Sequence, residues 1–322
     1  MTGLYPLLLE PTLYVKVWGG RQLAEVMGKK LPTSEPYGES WEIYDTSVVL
    51  NGPLAGRTLG DILAEYGPSL VGPRNDKTKG FPLLVKFLDA AEWLSVQVHP
   101  NDAQAAVLEH EPRGKTEAWY VLATAPGAQL VIGVKPGTGR DEMVQAIRET
   151  RLEELLVYAD ITSGDALYMA AGTIHAIGPG ALIYEIQQAS DLTYRLYDWG
   201  RVGLDGQPRP LHLKKGVQVS NVDSLPEITR PGDNQDPEVI VVAGEFFTTV
   251  LHRVDSDRPG MTTLDTGRDC FHALTCTEGC VEVVAGEVSV AMQTGQSAVV
   301  PASTGTYTMH GRGCVLRSWQ TG

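Results

Sequence analysis

The chain has 322 residues, 43% hydrophobic and 20% charged, enough for one large or two ordinary globular domains and unlike a disordered or fibrous chain. Its formal net charge of -13 repels a phosphate backbone and argues against a nucleic-acid partner, so any small anionic ligand needs a locally basic site. The 35 glycines and 20 prolines suit many short strands and turns better than a helical bundle.

The first residues, "MTGLYPLLLEPTLYVKVWGG", carry no basic segment, and Pro6 and Glu10 interrupt the apolar run. This reads as neither a signal peptide nor a membrane span, and the expectation is a cytoplasmic protein. Residues 10–80 alternate short extended runs with loops. Within them, "GRTLGDILAEYGPSLVG" (56–72) predicts a helix, with Leu59, Ile62, Leu63 and Tyr66 at helical spacing. "FPLLVKFLDAAEWLSVQVHP" (81–100) predicts strand, turn, strand, followed by a short helix capped by Asn101 or Asp102. "KTEAWYVLATA" and "QLVIGV" read as strands. A helical insertion is expected at about 139–158, with acids in its first turn, before strands and Gly-rich turns return at 165–190.

"EITRPGDNQDPE" (227–238) is the best linker candidate, and the rest is almost pure strand and turn. "SGDALYMAAGTIHAIGPGALIY" and "TGQSAVVPASTGTYTMHGRGCV" align without gaps at an offset of 131, matching Gly164 with Gly295, Ala171 with Ala302 and Gly180 with Gly311. His175 then falls opposite Thr306. The four cysteines, Cys270, Cys276, Cys280 and Cys314, form no C-x-x-C pair and are expected to be reduced, buried thiols rather than a zinc site with His272 or His310.

Strand alternation puts Gln97 and His99 of "LSVQVHP" on one face and Lys115, Glu117 and Trp119 of "GKTEAWYVL" on another. With His175 of "AGTIHAIG", these supply two imidazoles, a carboxylate and an amide. That mixed set suits Zn²⁺, and also Fe²⁺, Mn²⁺ or Co²⁺. Any one of the four alone reads as structural, and only their convergence would make a metal site. The aromatic residues Tyr184, Tyr194, Tyr197 and Trp199 are expected to pack strand faces rather than stack on a sugar. Lys86, Lys115, Arg195 and Arg201 are the basic candidates for a phosphate, each readable instead as a solvated surface residue and Arg201 as a partner of Asp198. The glycines at 172, 178 and 180 are expected to make turns rather than a phosphate cradle.

"PLLVKFLDAAEWLSVQVHPND", "GKTEAWYVL", "AGTIHAIGPGALIYEIQQASDLTYRLYDWGR" and the earlier "VWGG" and "YGESWEI" together resemble the type I mannose-6-phosphate isomerases of the shorter bacterial branch, over about Pro11 to Leu213. The resemblance implies a mainly β fold of two cupin-like (jelly-roll) β-barrels. On that reading residues 1–232 form a catalytic, metal-binding domain with the helical insertion, and 233–322 a second domain without metal ligands. It implies one Zn²⁺ per chain, held by His99, Glu117 and His175 with Gln97 as a fourth ligand, Arg195 in catalysis, and Lys86 and Lys115 lining the substrate pocket. The implied reaction interconverts mannose 6-phosphate and fructose 6-phosphate through an enediol or enediolate. The implied partner is a small sugar phosphate, with no membrane or nucleic acid, in a monomer or homodimer.

Arg is permanently protonated and an awkward base. The proton acceptor is left among a metal-bound water, Lys115, Glu185 and Asp191. Two other readings share the fold: a non-catalytic sugar-phosphate-binding cupin, and a cupin dioxygenase using Fe²⁺.

Overall fold

The structure is a computed structural model and describes residues 3–76, 79–257 and 262–321. It is mainly β, and every named strand pairing is antiparallel. A six-stranded sheet has the order Ala166–Met169, Glu117–Thr124, Ala181–Gln188, Leu83–Ala90, Thr12–Gly20, Tyr37–Ile43. Its two central strands are buried along their whole length, so Leu83–Ala90 and Ala181–Gln188 read as near-continuous apolar runs. The few polar residues inside those runs, Lys86, Asp89, Glu185, Gln187 and Gln188, are therefore the ones that need an explanation.

Smaller sheets complete the first part. Tyr194–Tyr197 pairs with Val96–Val98, and Ala176–Ile177, Gln129–Val134 and Leu156–Asp160 form a three-stranded sheet. The reciprocal backbone bonds Gln97 N–H to His175 O (2.9 Å) and His175 N–H to Gln97 O (3.0 Å) join these two.

A nine-stranded sheet contains the strands of residues 238–320. It also takes in Leu7–Glu10, paired to Ser297–Val300, and Val48–Val49, paired to Leu7–Glu10. Two strands of the segment 1–232 thus belong to a sheet otherwise built from 233–322. One continuous core cluster crosses between the parts, with Phe81 against Phe271 (ring centroids 4.6 Å) and Tyr184 bonded to Ser318 (2.9 Å). The 227–238 stretch is also docked, with Thr229 bridging Ala166 and Pro231 buried, rather than a free linker.

The helices follow their local signals. Leu59–Tyr66 begins in a capping box of Thr58 and Asp61, and Asp102–Glu109 in one of Asn101 and Gln104. The stretch read as one helix at 56–72 breaks at Gly67, and Pro68–Val71 makes a separate turn. The insertion is shorter than the sequence predicts. Arg140–Arg148 is helical, Leu152–Leu155 is a 3₁₀ turn, and Leu156–Asp160 is already a strand. Its apolar residues Leu152 and Leu156 serve a buried cluster that a strand completes as well as a helix. The helix Leu213–Val219 has no capping box and was not anticipated. Only Cys276 of the four free cysteines is buried, which corrects the expectation that all are core thiols.

Candidate active site

His99, Glu117 and His175 are brought together by three different elements. His99 closes the Val96–Val98 strand, Glu117 opens Glu117–Thr124, and His175 precedes Ala176–Ile177. Two glycines make the approach possible. A side chain at Gly114 would strike the backbone of Pro100 and Asn101 at 2.4 Å, and this close crossing is where Lys115 N–H bonds Pro100 O (2.9 Å). Gly172 sits at φ +91° and donates to His99 O (2.9 Å), turning the chain back toward His175.

Both imidazoles are locked by backbone carbonyls. His99 Nδ1 donates to Leu192 O (2.8 Å) and His175 Nδ1 to Thr173 O (2.9 Å), which leaves each Nε2 as a lone-pair donor. Those Nε2 atoms lie 3.4 and 3.2 Å from the two carboxylate oxygens of Glu117. Glu117 is fully buried, yet neither oxygen receives an aligned hydrogen bond, although Lys115 Nζ stands 3.0 Å from Oε2. With Lys115 as its ion-pair partner, this buried carboxylate still has lone pairs free to share a metal ion with the two imidazoles. The three ligand atoms lie within 4.8 Å of one another, a spacing one ion can span.

Ionisation states fit as well. Burial pushes the Glu117 carboxyl up, but Lys115 and the two histidines outweigh it and hold it well below the usual carboxylate range. Burial and then Lys115 push His99 down to about 3, so its ring is neutral and ready to ligate. The Gln97 amide nitrogen lies 3.5 Å from His99 Nε2 and 3.3 Å from His175 Nε2. A half-turn of the amide places its oxygen there instead.

Gln97 and Lys115 line a cleft of about 250 Å³. Lys86, Glu185, Asp191 and Arg195 also line it, so the cleft gathers the sequence candidates for substrate binding and proton transfer. Lys86 Nζ lies 3.2 Å from Glu185 Oε1 and 5.4 Å over the Trp41 ring. Burial lowers its pKa, but Glu185 and Glu39 overcome that and raise it, so Lys86 stays protonated. Burial, reinforced by Glu117, raises Glu185, whose other oxygen accepts Trp119 Nε1–H (2.7 Å).

Several lining residues escaped the sequence reading. Lys16 and Trp18 of "VKVWGG" and Glu39 of "YGESWEI" reach the cleft, with Lys16 2.9 Å from Glu39 and Trp41 Nε1 donating to Glu39 (2.7 Å). Strand alternation was the available signal, because Lys16 and Trp18 share one face and Glu39 and Trp41 another. Arg209 also lines the cleft. Its guanidinium takes both oxygens of Asp198, and Asp198 accepts from Arg201 too (2.9 Å). Nothing in "GQPRPLH" announces this pairing.

Arg201 itself does not line the cleft, and neither do Tyr184, Tyr194, Tyr197 and Trp199. The hydroxyls of Tyr194 and Tyr197 bond Glu109 and Glu153, and Trp199 Nε1 donates to Leu94 O (2.7 Å). Far from the cleft, His272 Nδ1 bonds the Tyr307 hydroxyl (2.9 Å) and His310 bonds Thr308 (2.8 Å). Among the described residues no cysteine joins a metal-competent cluster.

The family model for the phosphomannose isomerase type I catalytic domain matches residues 7–120. The mannose-6-phosphate isomerase ManA of Bacillus subtilis is 34% identical over 313 residues, covering 95% of this chain and 96% of its own. The chain belongs to the type I phosphomannose isomerases. The mannose-6-phosphate isomerase of Streptococcus mutans is 39% identical over 250 residues, 76% of this chain and 77% of its own. A crystal structure of the mannose 6-phosphate isomerase from Bacillus subtilis superposes with a TM-score of 0.88 at 31% identity, covering 98% of this chain and 99% of that one. A putative mannosephosphate isomerase from Archaeoglobus fulgidus shares the fold at 23% identity and a TM-score of 0.77, covering 99% of each chain.

Proposed function

We propose that the chain interconverts mannose 6-phosphate and fructose 6-phosphate as an aldose–ketose isomerase, using a divalent ion held by His99, Glu117 and His175 with Gln97 as fourth ligand. One observation carries this reading: a buried, ionised Glu117 without an aligned donor, facing two locked Nε2 atoms, beside a cleft rich in Lys and Arg. The mixed N/O set favours Zn²⁺. An ion held there would supply positive charge beside the cleft, where negative charge builds on the substrate.

The chain's own residues do the rest. Arg195 Nε is buried without a hydrogen-bond partner, so it has a donor left for a substrate oxygen in the cleft. Lys86 and Lys115 add fixed positive charge inside a protein of net charge -13, where a phosphate dianion otherwise meets repulsion. A permanently charged Lys86 cannot take a proton. Glu185, with its proton affinity raised and its carboxylate held between Trp119 and Lys86, is the better carrier between C1 and C2. Asp191 and Glu39 are the other carboxylates in the cleft.

Residues 1–232 then form the catalytic domain, and 233–322 a second, metal-free one. The chain works in the cytoplasm as a monomer or homodimer. No helix among the described residues is long and apolar enough to cross a membrane.

Turnover of mannose 6-phosphate by protein as purified, chelator-stripped and restored with Zn²⁺ tests the reading. Activity lost on stripping and regained with metal supports it. Absence of turnover in every form, with metal bound, overturns it in favour of a sugar-phosphate-binding protein.

A further inference from the structure

Arg195 is gripped from a segment outside the strand that carries it. His212 and Arg195 exchange two hydrogen bonds: His212 N–H donates to Arg195 O (2.8 Å), and Arg195 N–H donates to the His212 ring at Nδ1 (3.1 Å). Two residues earlier, Pro210 O accepts Arg195 Nη1–H (2.9 Å). Residues 210–212 therefore fix both the backbone and the guanidinium of Arg195, and His212 leads directly into the Leu213–Val219 helix. The ring is exposed, so it exchanges protons freely with solvent.

We infer that His212 is a positioning residue for Arg195 and works only with an unprotonated Nδ1, so that protonating its ring misplaces Arg195 and shuts down turnover in acid. This rests on the isomerase reading above.

The physical argument is one of donors and acceptors. A neutral ring carrying its proton on Nε2 offers a lone pair to the Arg195 amide. A protonated ring has donors at both nitrogens, so Nδ1–H would point at N–H and the bond would be lost. The new charge would also face Arg195. A misplacement of about 1 Å in a group that stabilises a transition state costs on the order of 100-fold in rate.

The surroundings set the direction of the titration. Tyr194 of the Tyr194–Tyr197 strand, Glu109 of the Asp102–Glu109 helix, Lys214 and Lys215 of the following helix, and Asp191 lie around the hollow that His212 lines, and Arg195 bonds the ring from the same strand as Tyr194. Burial and the Arg195 charge lower the His212 pKa, Glu109 opposes them, and Lys215 adds to the lowering. The working neutral form is favoured near neutrality, and the acid limb lies on the acid side of the ordinary imidazole value of about 6.5.

The test compares His212→Asn with His212→Ala in the metal-loaded protein, following kcat for mannose 6-phosphate from about pH 5 to 8, the span over which imidazoles titrate. The Asn side-chain oxygen accepts the same backbone N–H but has no proton to gain. H212N should keep at least about half of the wild-type kcat near pH 8, and its acid limb should move to lower pH. H212A should lose about 10- to 100-fold in kcat at every pH with little change in KM, because it removes the acceptor altogether.

The His212 ring titration followed by NMR in the metal-free protein gives a readout independent of turnover. Its midpoint should fall in direct line with the wild-type acid limb, and it should rise in R195A.

An unchanged acid limb in H212N, or a wild-type kcat in H212A, overturns this inference while leaving the isomerase reading intact. Failure of the wild-type protein to turn over mannose 6-phosphate removes both.

Discussion

Glu39 gives the sharpest energetic test, because its carboxylate is almost fully buried and yet ionised. Burial raises its pKa, but Lys86, Lys16 and the Trp41 indole overcome that and hold it down at about 2, against 4.5 for a free glutamate. One pKa unit is worth about 1.4 kcal/mol, so the folded state gains roughly 3 kcal/mol from this group at neutral pH. The folded pKa is the depressed one. The gain is therefore complete above about pH 4.5 and disappears as pH falls through about 2, with roughly 2 kcal/mol already gone by about pH 3.

Glu39→Gln keeps the shape and the bond from Trp41 but removes the charge. At neutral pH it should cost about 3 kcal/mol, which at about 2.1 cal/mol/K per residue lowers Tm by roughly 5 °C for a chain this long. Chelator-stripped wild type and E39Q, melted in parallel at pH 7 and at the lowest pH where both still fold, isolate the Glu39 contribution from metal loss. The gap between them must narrow in acid. A gap below about 1 kcal/mol at pH 7, or one that stays constant with pH, refutes the claim that the cleft lysines hold Glu39 ionised.

Other consequences are simpler to read. On the proposed metal site Glu117→Gln removes the only charged ligand, and bound metal measured by elemental analysis should fall from the one ion per chain expected to less than about a tenth, since losing even an outer-shell partner weakens affinity about 10- to 100-fold. Arg195→Lys cannot reproduce the fork of donors, so kcat should drop by about 100-fold or more with a much smaller change in KM. Equal losses in both would make Arg195 an ordinary binding residue. Tyr184→Phe deletes the 2.9 Å bond to Ser318 inside the core. It should cost about 1 kcal/mol of stability in a denaturant melt and leave kcat/KM untouched, and a kinetic defect would contradict the packing role of that aromatic.

The polar residues that converge beside the cleft were legible in the sequence because strands have a fixed period. A polar or ligating side chain in an otherwise apolar run, as at Gln97, Glu117 or Glu185, must face something that justifies its burial. The family resemblance supplied what spacing could not, namely that four such residues converge. Local chemistry also announced the helix starts at Thr58 and Asn101, with their capping partners three residues on. Illegible were the contacts made only by folding across distance: Arg209 on Asp198, Pro210 on Arg195, and Leu7–Glu10 entering a sheet whose other members lie more than two hundred residues away or at 48–49. A proline-rich loop carries no period, and a four-residue strand carries no address.

The internal echo has a structural counterpart that explains why chemistry sits in one half. Ala166–Met169 and Ser297–Val300 are strands at the same offset of 131, and each pairs antiparallel with a long neighbour. Met169 lies opposite Glu117 and Val300 opposite His272, so His272 occupies the place of Glu117. In the same way Glu185, opposite Trp119, is matched by Arg317, opposite Leu274. With Thr306 in the place of His175, the second half replaces a carboxylate by an imidazole, an imidazole by a hydroxyl and an acid by a guanidinium. What remains is self-satisfied: His272 bonds Tyr307 (2.9 Å), and Arg317 bonds His252 (3.0 Å) and covers Trp319 (4.5 Å). Burial holds His272 down at about 3, neutral and already partnered. The two halves share a strand scaffold and differ in whether the polar groups inside it are paired through aligned hydrogen bonds or, as at Glu117, held among Lys115 and two imidazoles without one.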